Sequence, residues 1–264
     1  MQIANINDVN IHFRDEGKKS APVIAFANSL GSDLRLWDRV VDQLKNDFRI
    51  IRYDKRGHGL SGIGSEKCSI KLLADDLAAL LRFLKVDQAI ICGISVGAMI
   101  AQSIVVSHPE LIRALVLCDT GAKIGTDDFW NERISAINEN GILAISDAIL
   151  ERWFSKEFKT NRATEMEGWR NMLSRTTKAG YVAVCEAIKQ ADLSRETKTI
   201  TVPTLCLTGD EDISTPAELV EELAAMINGA RFKLITGAGH LPCIEKPEIV
   251  AKHLSNFCRE NGHV

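Results

Sequence analysis

Six short and mostly apolar runs punctuate this chain, at residues 23–26, 48–53, 89–92, 114–118, 204–207 and 232–235. A strand is apolar along its whole length when both its faces are covered, the condition of a parallel sheet between layers of helix. The segments between these runs have helical period. After Ser69, a residue suited to capping, Ile70, Leu73, Leu77, Leu80, Leu81 and Leu84 recur on one face. Strand and helix alternate, so the expected fold class is α/β, with right-handed crossovers and helices on both sides of a mostly parallel sheet.

Two stretches depart from that rhythm. Residues 2–6 and 9–15 alternate apolar and polar around Asn7-Asp8, a good turn dipeptide, and read as an antiparallel hairpin. Residues 122–198 give no strand signal but several helix-like pieces, carrying three of the four tryptophans: Trp130, Trp153 and Trp169. Inserted between consecutive strands, a segment of this size is expected to form a helical cap over the strand C-termini, where open α/β sheets bind ligands. With 264 residues, 45% of them hydrophobic, the chain can bury one substantial core. The expected division is a core of residues 1–121 and 199–264, with a cap at 122–198.

Chemistry concentrates at the strand ends. Gly93-Ile94-Ser95-Val96-Gly97 follows an apolar strand and opens a helix, the context that gives a G-x-S-x-G pattern its meaning. A serine on so tight a turn is strained and exposed, and side chains at 93 and 97 would collide with the adjoining helix and strand. Its hydroxyl is a weak nucleophile until a base takes its proton and a third group orients that base. Of the six histidines, His240 sits in a glycine-rich loop after the last strand, at the sheet edge that carries Ser95. His12 lies in the hairpin, His108 ends a helix, His253 and His263 belong to the C-terminal region, and His58 falls in the turn at residues 54–61. The acid should fall between serine and histidine in chain order, and Asp210, Glu211 and Asp212 all stand there after a strand. Two backbone donors for an oxyanion complete the set: the amide of Val96, just after the nucleophile, and the amide of Leu30, in the loop after the strand at 23–26.

Other classes find little support. With 32 basic and 35 acidic residues spread along the chain, there is no basic stripe for nucleic acid and no polybasic membrane patch. The N-terminus lacks a signal-peptide pattern and no apolar run reaches the length of a membrane span, so a soluble, cytoplasmic protein with a small-molecule partner is expected. The seven cysteines are scattered and never form C-x-x-C, which points to reduced thiols without a disulfide framework or zinc site.

Taken in order, G-I-S-V-G, D-K-R-G-H-G-L-S at residues 54–61, G-D-E-D-x-x-x-P from Gly209 to Pro216 and G-A-G-H ending at His240 resemble the signatures of α/β-hydrolases. The spacing of the third is that of the family's acid turn and selects Asp212, with Asp210 as the fallback. The motif at 54–61 is structural in that fold, a turn under the active site. A closer resemblance, to 3-oxoadipate enol-lactonases of the bacterial β-ketoadipate pathway for aromatic degradation, rests on four segments. These are Asn28-Ser29-Leu30-Gly31-Ser32-Asp33 through Trp37-Asp38, Ala122-Lys123-Ile124-Gly125-Thr126, Arg152-Trp153-Phe154, and Gly180-Tyr181 through Ile188. Asn28-Ser29 replaces the His-Gly pair commonest in the wider fold, which favours the lactonase group over lipase-like readings.

That resemblance implies a metal-free and cofactor-free serine hydrolase opening an anionic lactone. Its cap would offer the substrate carboxylate a cation and an apolar wall, for which Trp130, Arg133 and Trp153 are the candidates and Lys178, Arg152 and Arg175 the alternative cations. Competing expectations on the same residues are a general carboxylesterase, a metal-free perhydrolase and a slow-turnover ligand receptor.

Overall fold

The computed structural model describes residues 1–263. Its centre is an eight-stranded sheet: β1 (Gln2–Ile6), β2 (Val9–Gly17), β3 (Val23–Ala27), β4 (Arg49–Tyr53), β5 (Ala89–Ile94), β6 (Ile112–Cys118), β7 (Thr204–Gly209) and β8 (Arg231–Ile235). The order across the sheet is β1-β2-β4-β3-β5-β6-β7-β8. All pairs from β4 to β8 are parallel, and the first two strands add an antiparallel edge. The hairpin turn places Asn7 at φ 47° and Asp8 at φ 60°, the left-handed pair that matches the twist of the flanking strands. Each strand foreseen from apolar patterning is present with ends shifted by a few residues. Phe48, for example, lies just outside β4.

The helices are α1 (Asp38–Leu44), α2 (Ile70–Phe83), α3 (Val96–Ser107), α4 (Asp127–Trp153), α5 (Lys156–Asn161), α6 (Ala163–Ser174), α7 (Lys178–Gln190), α8 (Ser194–Thr197), α9 (Ala217–Met226), α10 (Pro242–Glu245) and α11 (Pro247–Glu260). Ser69 caps α2 by accepting from Leu72 N, and Ile70, Leu73, Leu77, Leu80 and Leu81 are buried on its inner face. Every residue of β5 and β7 is buried, which requires cover on both faces. Helix α3 packs on β5 and α9 packs on β7.

Two features position the site. Strand β3 pairs with β4 on one side and β5 on the other, so the chain leaves β3 and β5 in opposite directions. The gap between their C-terminal loops is the switch point at which open α/β sheets bind ligands. Between β6 and β7 lie the five helices α4 to α8, and α4 breaks at Gly141, whose φ is 78°.

The cap meets the core at a glycine–glycine seam. A Cβ at Gly180 of α7 would lie 2.1 Å from Gly57 O, and one at Gly57 would lie 2.5 Å from the Gly180 Cα. Backbone therefore touches backbone, with no side chain able to yield. We predict that Gly180→Ala lowers unfolding free energy by about 1–3 kcal/mol, the usual cost of overpacking, in urea denaturation followed by circular dichroism.

Candidate active site

Ser95 occupies the single residue between β5 and α3, with φ 57° and ψ −123°. Such backbone costs about 1–3 kcal/mol and persists only where its surroundings enforce it. Here Ser95 N donates to Cys118 O at 2.9 Å, and Thr120 Oγ1 donates to Ser95 O at 2.9 Å. The flanking glycines answer to sterics. A Cβ at Gly93 would stand 2.2 Å from Gly97 O, and one at Gly97 would stand 2.1 Å from Ala27 O in β3. Val96 opens α3, so its N–H has no partner within the helix.

His240 lies in the loop between β8 and α10, buried. Its Nδ1 is 2.8 Å from Asp212 Oδ2. Asp212 Oδ2 also accepts from Thr215 Oγ1 at 2.6 Å, and Oδ1 accepts from Ser214 N at 2.7 Å and Thr215 N at 3.1 Å. Burial by itself would raise the Asp212 carboxyl, but His240 and these donors outweigh it and hold the group below the usual carboxylate range. An ionised Asp212 accepts only, so His240 Nδ1 is the donor in this pair. The neighbouring acids do other work. Asp210, the fallback, accepts from Gly237 N at 2.7 Å, and Glu211 accepts from Lys156 N at 2.9 Å; both are exposed. Glu245 ties the histidine loop to the end of α4, accepting from Gly239 N at 2.8 Å and from Ser155 N at 3.1 Å.

One cavity gathers these groups. Ser95, His240 and Leu30 line it from the core, and Trp130, Arg133 and Trp153 from the cap, together with Ser29, Ile124, Phe129, Arg152, Tyr181, Ile188, Ser214 and Thr215. Asp212 stays behind His240. Of the alternative cations, Arg152 is at the cavity, whereas Arg175 lines a separate hollow beside the hairpin and Lys178 donates to Asn138 O on the exposed side of the cap. The guanidinium carbons of Arg133 and Arg152 lie 4.7 and 5.5 Å from the centre of the Phe129 ring. Burial, then the like charge of Arg133, lowers Arg152 from its ordinary value. Trp130 is fixed by its Nε1–H, which donates to Ile124 O at 2.7 Å. Sequence reasoning passed over Phe129 and Tyr181, although Phe129 and Arg133 stand at the i, i+4 spacing that places two side chains on one helix face.

His58 is buried beneath the Asn28–Gly31 loop. Its Nε2 accepts from Gly31 N at 3.0 Å, and Nδ1 is 3.3 Å from Arg56 O. Burial first, then the nearby Lys55 charge, hold it well below the ordinary histidine range, so the neutral ring serves as a fixed acceptor.

Asp119 was not foreseen. It follows β6 with φ 46° and is fully buried. Oδ1 accepts from Gly209 N at 2.9 Å, while Oδ2 has no partner. Ligand atoms of Asp119, Asp212 and His240 lie within 4.8 Å of one another, the one such group of three among the described residues. Within this group the Asp212–His240 hydrogen bond already joins Nδ1 to Oδ2. Burial, then the charge of Asp212, raises Asp119 well above the carboxylate range, so Asp119 is neutral beside an ionised Asp212. The signal available in sequence was a polar residue at the C-terminal end of a buried strand.

The family described as the alpha/beta hydrolase fold matches residues 22–247. The chain belongs to the α/β-hydrolase family. Among its relatives, this hydrolase is 31% identical to 3-oxoadipate enol-lactonase 1 of Acinetobacter baylyi over 98% of its own length and 97% of the relative's. Its structure is similar to the enol-lactonase from Burkholderia xenovorans LB400, with TM-score 0.95, 34% identity and coverage of 98% and 100% of the two chains. It also resembles a thermophilic esterase from Thermogutta terrifontis, solved with malate bound, with TM-score 0.92, 25% identity and full coverage of both chains. No helix among the described residues is long and apolar enough to cross a membrane.

A carboxyl raised on folding holds a proton that the unfolded chain has released, so it costs stability as pH climbs above the ordinary carboxylate value. Asparagine has no proton to take up and tolerates the left-handed backbone. Asp119→Asn is therefore expected to gain on wild type in unfolding free energy, with the difference widening from pH 4 to pH 7 in parallel urea titrations.

Proposed function

We propose that this hydrolase opens 3-oxoadipate enol-lactone with water to give 3-oxoadipate, using Ser95 as nucleophile, His240 as general base and acid, and Asp212 as the group that orients His240. The observation that carries the reading is the meeting, in one cavity, of Ser95 and His240 with the two arginines Arg133 and Arg152. The core half suits acyl transfer. The cap half suits a small anion, with Trp130, Trp153 and Phe129 as its apolar wall, and residues 122–198 act as the part that selects substrate. The enol-lactonase relatives point to the same substrate.

In this mechanism His240 Nε2 removes the Ser95 proton as Oγ attacks the lactone carbonyl. The oxyanion is held by the N–H groups of Leu30 and Val96, each worth roughly a hundredfold or more in rate. Collapse of the tetrahedral intermediate breaks the ring C–O bond. The leaving oxygen is an enol, a better leaving group than an alkoxide, and takes its proton from His240; the fragment stays attached through the acyl group. Water then gives a proton to His240, attacks the ester carbonyl and frees Ser95. Tautomerisation of the enol yields 3-oxoadipate. The substrate's free carboxylate lies against Arg133, with Arg152 as the second cation.

Absorbance decay of freshly generated enol-lactone, with wild type beside Ser95→Ala, tests the reading. Rapid decay that falls to the spontaneous rate in the variant is expected. A folded wild type giving no acceleration, but turning over simple nitrophenyl esters, would move the assignment to a general carboxylesterase. Arg133→Met is expected to raise KM for the enol-lactone roughly tenfold, about 1.4 kcal/mol, with little change in KM for neutral p-nitrophenyl acetate. An equal effect on both substrates would remove Arg133 from carboxylate recognition.

A further inference from the structure

The loop that supplies the Leu30 amide is held from behind. Ser29 O accepts from Lys55 Nζ at 2.6 Å, from Ser32 Oγ at 2.8 Å and from Ser32 N at 3.3 Å. Lys55 Nζ also lies 3.4 Å from Asn28 O. The carbonyl of Ser29 and the N–H of Leu30 belong to one peptide unit, which is planar and points the two groups in opposite directions. Donors gathered on Ser29 O therefore aim the Leu30 N–H the other way. Ser29 and Leu30 both line the cavity that holds Ser95. Leu30 is buried, yet its N–H has no acceptor among the described residues. A buried backbone donor left unmade is uncommon and costly unless a ligand completes it.

Lys55 itself is 2% exposed and is absent from the cavity wall, so it does not reach a bound substrate. No carboxylate pairs with it at salt-bridge distance among the described residues, and its Nζ is spent on backbone carbonyls. The second proposed donor is held in the same manner, since Thr120 Oγ1 and Ala98 N both bond Ser95 O, the carbonyl of the Ser95–Val96 peptide.

We propose that Lys55 is a positioning residue for the reaction, one that locks and polarises the Ser29–Leu30 peptide so that its N–H meets the charge developing on the reacting carbonyl oxygen. A cation bonded to a peptide oxygen draws electron density toward it and strengthens the N–H as a donor, the cooperative effect of a hydrogen-bond chain in a low dielectric. Burial pulls the Lys55 group down to about 7, against the opposing pull of Asp54, Asp33 and Cys68. Ammonium and amine both keep an N–H to donate, so the contact survives either state. The inference rests on the acyl-transfer reading of Ser95 and extends it to a residue behind the cavity.

The test compares Lys55→Met and Lys55→Gln with wild type, on the enol-lactone and on p-nitrophenyl acetate, and adds inhibition by phenylboronic acid. The boronate adduct of a serine hydroxyl carries a tetrahedral anion and so reads the oxyanion donors directly. For Lys55→Met, kcat is expected to fall roughly 10- to 100-fold, less than removal of a whole donor. KM should stay within about twofold, the pattern of an interaction made only in the transition state. Phenylboronic acid should weaken in step with kcat. Lys55→Gln should fall between, because its amide still donates but carries no charge. Retention of kcat and boronate affinity within about twofold would overturn the proposal. So would a loss of kcat with boronate affinity unchanged, which would mark Lys55 as structural. If Lys55→Met does not fold, Lys55→Gln carries the same criteria. Ser95→Ala in the same assays separates the two readings. Activity lost there but kept in Lys55→Met removes only the role of Lys55, whereas activity kept in Ser95→Ala removes the nucleophile and this proposal together.

Discussion

The contact between Gly97 and the end of β3 sets the geometry of this molecule. A helix can start one residue after a buried strand only if its first turn lies against the neighbouring strand, and here Gly97 is so close to Ala27 that a single methyl group would not fit. That approach forces Ser95 into left-handed backbone and brings the β3 loop beside it. The cavity follows from the same constraint. It opens where β3 and β5 send their chains apart, and the loops after β7 and β8 close it from the far side with Ser214, Thr215 and His240. The strain at one residue is held by bonds from Ser95 N to β6 and from Thr120 to Ser95 O, and the network of the core is built around it.

Charge at the site is apportioned by solvation as much as by pairing. Asp119 and Asp212 are both buried, with an atom of each within 4.8 Å of the other. Two carboxylates so placed do not both ionise. Asp212 gathers His240 and three further donors and keeps its charge, while Asp119 has an oxygen with no partner and keeps a proton. Burial also draws His58 and Lys55 below their ordinary values, and both side chains hold backbone, Lys55 at the Ser29 carbonyl and His58 at the Gly31 N–H. Arg133 and Arg152 bring two guanidinium groups to the cavity wall itself.

Much of the fold was legible in the chain because a parallel sheet leaves an unusually direct mark. Strands buried on both faces read as unbroken apolar runs, and α2 announces itself through Ser69 and its leucine stripe. Ends were less legible, since whether Phe48 or Arg49 begins β4 depends on pairing across the sheet rather than on residue type. Ser95 and His240 stand out because backbone sterics demand glycines around them. Asp210, Glu211 and Asp212 are chemically alike, and only the path of the β7 loop puts Asp212 toward the histidine and the other two toward solvent. Asp119 and Lys55 were illegible for a related reason. Their importance lies in what surrounds them in space: a polar residue ending a buried strand is the one mark Asp119 leaves, and a lysine in a charged turn carries no pattern of its own.

The seam between Gly57 and Gly180 divides the surface of the cavity by how freely it can change. The turn that carries Gly57 also carries Lys55 and His58, which hold the Ser29–Gly31 loop, so α7 presses on the same segment that aims a backbone donor at the reaction. On the other side, Phe129, Trp130 and Arg133 project from the part of α4 before Gly141, where the helix is interrupted with open space around it, whereas its far end at Trp153 lies backbone to backbone against Gly239 in the histidine loop. Descendants of this chain could rewrite the first half of α4 to admit new ligands at little risk to the chemistry. The α7 side offers no such freedom, and diversification of the scaffold should run along one wall of its binding site.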